Sequence, residues 1–113
     1  MVNPKYLCTK HLLGTHVEMH MLLGHLKRQR QINKYITNNC LEPLSLNSYH
    51  DAVAAEMTTR GFNHKTQLTY SEDIFQYLPS SIVEYIVDSF KSLIDLLTRC
   101  KKCSDRYEEI HSS

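Results

Sequence analysis

Hydrophobic positions in the first third of the chain recur at helical spacing. On a wheel turning about 100° per residue, Leu12, Met19, Leu23 and Leu26 fall in one arc, with His16 at its edge. This stripe predicts a long core-facing helix, with Thr9 as its N-cap and an end near Arg30. His11 and Glu18, about two turns apart, share a face beside the stripe, and His25 falls on the same side. Gly14 costs the helix about 1 kcal/mol relative to alanine, which predicts a close backbone approach at that point.

A short apolar segment at 32–36 follows, and Asn38, Asn39 and Pro43 mark a loop. Ser45 or Asn47 can cap a second helix that runs to about Arg60, with Gly61 placed as its C′ residue. Ala52, Val53, Ala55 and Met57 give that helix a small-residue packing surface. Residues 63–69 read as polar connection. Ser71 followed by Glu72 and Asp73 predicts a short helix ending before Pro79. The β-branched stretch 82–87 reads equally as strand or helix. Asp88 can cap a last helix in which Phe90, Leu93, Ile94 and Leu97 recur at helical spacing, and from Ser104 the polar tail is expected to fray. The prediction is an all-α fold: one small domain over 1–113, built from about three main helices joined by short helical turns.

Composition fits that picture. A chain of 113 residues with 42% hydrophobic and 22% charged residues is an ordinary globular domain. No apolar run approaches the roughly 20 residues that span a bilayer. No secretory core opens the chain, so the expected location is the cytoplasm (at the nucleoid, or in the nucleus of a eukaryote). The formal charge is only +1, with seven histidines besides, so a nucleic-acid surface would have to come from local clustering. The densest basic stretch is Lys27, Arg28, Arg30 and Lys34, and Arg60 and Lys65 can extend it. These are the candidate phosphate contacts. They equally suit a solvated helix C-terminus, where cations oppose the dipole.

Two motifs carry a more specific signal: His11-Leu12-Leu13-Gly14-Thr15-His16-Val17-Glu18 and Arg60-Gly61-Phe62-Asn63-His64-Lys65. With the opening Asn3-Pro4-Lys5-Tyr6-Leu7-Cys8, their order and spacing resemble the bacterial and archaeal branch of the pyrimidine-dimer DNA glycosylase (endonuclease V) family. The resemblance covers about 2–68. It implies a DNA-repair glycosylase with abasic-site lyase activity, acting as a monomer on double-stranded DNA with a damaged or abasic site and needing no cofactor. In that family an N-terminal amine attacks the sugar carbon and a glutamate on the first long helix completes the chemistry. The glutamate matches Glu18, and the histidine seven residues earlier matches His11, which would orient the substrate or Glu18.

The chain starts several residues closer to its glutamate than the family pattern does. Its candidate nucleophile is therefore the amine of Val2, after loss of Met1, or of Met1 itself. Val17 stands where the phage member carries an arginine, and the phage enzyme's aromatic tail has no counterpart. Alternatives from other classes are a non-catalytic DNA-binding protein of the same fold and a zinc-stapled interaction module. For the latter, Cys100 and Cys103 form C-x-x-C, and Cys8 with a histidine could complete a tetrahedral site tying the last helix to the first. Buried free thiols are the commoner outcome for such cysteines. His16 and His20, one turn apart, also have zinc-binding spacing, but Val17 occupies the place of the metalloprotease glutamate.

Overall fold

A computed structural model of the chain describes residues 1–37, 42–63 and 67–112. Among them the elements are all helical: α1 (Thr9–Lys27), α2 (Asn33–Thr37), α3 (Leu46–Thr59), α4 (Ser80–Val83), α5 (Ser89–Arg99) and α6 (Lys101–Ser112). Short 3₁₀ turns lie at Pro4–Tyr6, Pro43–Ser45 and Glu72–Phe75. The main helices are thus four, because the region expected to hold one last helix and a frayed tail holds two. The ambiguous stretch after Pro79 is helical only to Val83.

The centre of the fold is α1 against α3. The α1 stripe is buried as its spacing predicts: Leu12, Met19, Leu23 and Leu26 are all at most 6% exposed, and Leu22 joins them at 1%. On α3 the expectation needs correction. Ala52 and Ala55 face solvent, and the buried arc is Leu46, His50, Val53 and Met57. Leu7, Ile32, Leu68 and Phe75 close the core around this pair.

The helix ends explain how the chain turns. At the end of α3, Gly61 has φ +88°, its N–H donates to the Thr58 carbonyl and the Phe62 N–H to that of Met57. This is a Schellman stop of the kind glycine permits. The end of α1 uses the same device without glycine. Gln29 has φ +55°, its N–H donates to the Leu26 carbonyl and the Arg30 N–H to that of His25. The helix therefore stops at Lys27, short of the expected Arg30, and its N-cap is Cys8 rather than Thr9. Gly14 has no packing reason to be glycine, since a Cβ there would meet nothing within 4 Å.

The C-terminal pair α5–α6 packs more loosely. Asp88 caps α5 by accepting from the Lys91 N–H at 3.0 Å, as expected, yet no residue of α5 is fully buried. Phe90 is 74% and Ile94 48% exposed, so the predicted apolar face is largely outside the core. Residues 104–112, expected to fray, are helical. They are held through Tyr107 and His111 against Tyr6, with ring centroids 4.9 and 5.6 Å apart. The projecting pair leaves a flat outline of 45 × 30 × 17 Å.

Candidate active site

The first residues of the chain are fixed by contacts from three directions. Asn3 caps the Pro4–Tyr6 turn, its Oδ1 accepting from the Lys5 N–H at 3.1 Å. The Pro4 and Lys5 carbonyls accept from the Arg60 guanidinium, and Arg106 of α6 adds two donors to the Lys5 carbonyl at 3.2 and 2.9 Å. The Tyr49 hydroxyl donates to the Val2 carbonyl at 2.6 Å. Burial pushes the Tyr49 phenol up to about 12, so it remains protonated, and a donor, across the physiological range. Beyond this anchor the Met1 amine donates to Ser89 Oγ at 2.5 Å.

These contacts hold the terminus at the mouth of a groove of about 350 Å³, within the size range of small-ligand sites. The groove is lined by Met1, Val2, His11 and Glu18, together with Asp95 and Arg99 of α5. Met1 and Glu18 also line a narrower pocket beside it with Thr15 and Tyr49. Glu18 is exposed, so its carboxylate is open to an incoming substrate. The sequence-predicted trio of Val2, His11 and Glu18 is therefore brought together around one opening. A free amine and a carboxylate on the walls of one groove can attack an electrophilic carbon and move a proton beside it.

The basic candidates separate. Lys27, Arg28, Arg30 and Lys34 are all exposed and surround the end of α1, about 14 Å along the axis from Glu18 at 1.5 Å per residue. Arg60 departs from the expected phosphate edge. Its side chain is 12% exposed, it pairs with Glu56 at 2.9 Å, and it turns onto the Pro4–Lys5 backbone. Lys65 lies outside the described residues. His25 sits with Arg28 in a separate open depression rather than at the Glu18 groove.

Two clusters of metal-ligating side chains stand out among the described residues. Cys8, His11, Cys100 and Cys103 converge between the start of α1 and the α5–α6 junction. Burial pushes the Cys103 thiol up to about 12, whereas the Cys103 backbone N–H holds the Cys100 thiol below its ordinary value. The second cluster is His16, His20 and His50, with Nε2–Nε2 distances of 3.2 Å (His16–His20) and 3.3 Å (His20–His50). The His16–His20 spacing was legible in the sequence. His50, fully buried on α3, was missed. So were Tyr49, Ser89 and Arg106, whose partners lie 47 or more residues away.

A family model described as pyrimidine dimer DNA glycosylase matches residues 1–70. No curated protein and no solved structure gives a significant match. The matched region contains the terminus, His11, Glu18 and the whole α1–α3 core. It excludes α5 and α6.

Proposed function

The chain belongs to the pyrimidine dimer DNA glycosylase family, and from that membership we propose that it is a DNA-repair glycosylase that also nicks at abasic sites by β-elimination. The observation that carries the proposal is the shared groove of the chain terminus and Glu18. An α-amino group has a pKa near 7.7–8.0 in reference peptides, so an appreciable neutral fraction exists at cellular pH. The neutral amine attacks C1′ of the damaged nucleotide, the glycosidic bond breaks, and the base leaves with the bonding electrons. The attached amine then loses a proton, the C1′–O4′ bond opens as O4′ takes up a proton, and the resulting iminium is a covalent protein–DNA intermediate. Glu18 stabilises the positive charge on the sugar. It then removes a C2′ proton, the C3′–O bond breaks, and the phosphate leaves. Reaching the sugar requires extrusion of the nucleotide, which costs least where a lesion has weakened pairing.

The nucleophile is the amine of Met1, or of Val2 if Met1 is removed. A shift of one residue moves the amine about 3.8 Å, and both residues line the groove. His11 orients the substrate or Glu18 from the same groove. Lys27, Arg28, Arg30 and Lys34 hold the duplex by its phosphates, and the protein acts as a monomer.

Borohydride reduction of the protein mixed with a duplex containing an abasic site or a pyrimidine dimer tests the proposal. The expected product is a stable adduct whose mass maps to the N-terminal peptide. No adduct from protein with a free N-terminus, or an adduct confined to an internal lysine, rejects the terminal nucleophile.

The basic edge gives an independent prediction. Changing Lys27, Arg28 and Arg30 together to glutamine weakens binding to undamaged and damaged duplex alike. It also flattens the dependence of log K on log salt by about 0.9 for each phosphate no longer neutralised. Fluorescence anisotropy across a salt series measures both, and an unchanged slope places the DNA elsewhere on the surface.

A further inference from the structure

We propose that Cys8, His11, Cys100 and Cys103 form a structural zinc site that fastens the α5–α6 pair to the start of α1. The assignment does not rest on the glycosylase reading, because it concerns the groups that hold the fold together.

Geometry is the first support. One ligand atom from each of the four residues lies within 4.8 Å of every other. Tetrahedral zinc with Zn–S of about 2.3 Å and Zn–N of about 2.0–2.1 Å requires S–S separations near 3.8 Å and S–N separations near 3.5 Å. The Cys8–Cys100 sulfurs are 3.9 Å apart, and His11 Nδ1 is 3.3 Å from both Cys8 Sγ and Cys103 Sγ. The remaining pairs lie within 4.8 Å, so a contraction of at most about 1 Å would bring the set to tetrahedral spacing. A Cys₃His set is a closed structural donor set, with no position left for substrate.

The surroundings fit the same chemistry. The Cys8 backbone N–H donates to Cys103 Sγ at 3.2 Å, and the Cys103 N–H lies 3.5 Å from Cys100 Sγ. Amide donors aimed at sulfur stabilise thiolate and orient it toward a metal. The local backbone also suits the spacing. Cys100 has φ −122° and ψ 108° between two helices, and this break lets Cys100 and Cys103 turn toward one point.

Packing supplies the third argument. The α5 helix contributes no fully buried residue, and on α6 the buried residue is Cys103 itself. A pair of helices held by so little apolar burial needs another source of stability, and in small domains a metal supplies it. Zinc would tie residues more than 90 positions apart, closing a long loop and restricting the unfolded chain. Ligation through Nδ1 of His11 would leave its proton on Nε2, fixing the tautomer beside the groove.

The test is elemental analysis of the full-length protein purified under reducing conditions. It should be joined to cobalt replacement and a thiol titration in denaturant. The expected result is one zinc per chain, and a cobalt form with the sulfur-to-metal charge-transfer bands of thiolate ligation. All thiols should be free once chelator and denaturant are present. Cys100→Ser and His11→Ala should each lose the metal, while His20→Ala keeps it. Chelation should lower the melting midpoint and release α6, seen as faster amide exchange at 101–112. Where a variant fails to fold, metal content and the cobalt spectrum of the unaltered chain decide. Zinc at background level overturns the proposal, as does a disulfide among these cysteines. Metal lost with His20→Ala but kept with Cys100→Ser also overturns it, assigning the ion to the histidine cluster instead.

Discussion

Glu18→Gln is expected to slow strand nicking by about 10²–10⁴-fold, the usual range for losing a positioned general acid–base group. The substitution keeps side-chain size and removes only the charge and the proton-accepting carboxylate. Glu18 is exposed on α1, so the fold should be unaffected and circular dichroism should match the parent. The step affected can be separated from the rest. On a preformed abasic site the amine can still condense with the sugar aldehyde, so borohydride should still trap an adduct. Elimination should be slow, and the trapped fraction should rise relative to nicked product. On an intact dimer the loss of charge stabilisation also slows base release, and little adduct should appear. Single-turnover assays on the two substrates measure both effects. Unchanged nicking on both would remove Glu18 from the chemistry.

Leu23→Ala is expected to destabilise the protein by about 2–5 kcal/mol, as leucine truncation in a packed core does. Leu23 is 6% exposed and belongs to the α1 stripe packed into the central cluster. Against a total stability of about 5–15 kcal/mol for a domain of ordinary size, this is a large share. The melting midpoint should fall by on the order of 10 °C or more. Phe90→Ala removes a larger side chain but one that is 74% exposed, and its effect should stay within about 0.5 kcal/mol. Thermal or urea unfolding of the two variants checks the contrast. Equal destabilisation would mean that α5 is buried in solution by something other than this chain.

That contrast also marks what the sequence made legible. The α1 stripe was readable because one face of a long helix carries its own periodicity. Leu22 was missed because it lies beyond the narrow arc, although the buried face of a core helix is wider than a coiled-coil seam. The stop at Lys27 has no local announcement, since the left-handed position falls to Gln29 and not to glycine. On α3 the alanines suggested packing by their size, but the arc through Leu46, His50, Val53 and Met57 is the one that faces α1. The polar composition of α6 suggested fraying. Its anchors, Tyr6 and the Lys5 carbonyl, lie about 100 residues away and leave no trace in the tail itself.

The site followed the same rule. Glu18, His11 and the terminus became candidates through the family resemblance, and all three line one groove. Arg60 was assigned to the duplex from its type and position. Its ion pair with Glu56 was readable from the four-residue spacing on α3. Its use as a clamp on the Pro4–Lys5 backbone depends on a tertiary contact that spacing cannot give. C-x-x-C was a weak signal until the fold set Cys8 and His11 against it.

The groove draws its walls from two ends of the chain. The groups proposed to react sit within the first 18 residues, inside the stretch matched to the family, whereas Asp95 and Arg99 on α5 fall outside it. If the groove is the site of the proposed chemistry, substitutions on α5 would alter what it admits while leaving the terminus and Glu18 in place, so fit and reaction could be changed independently by mutation.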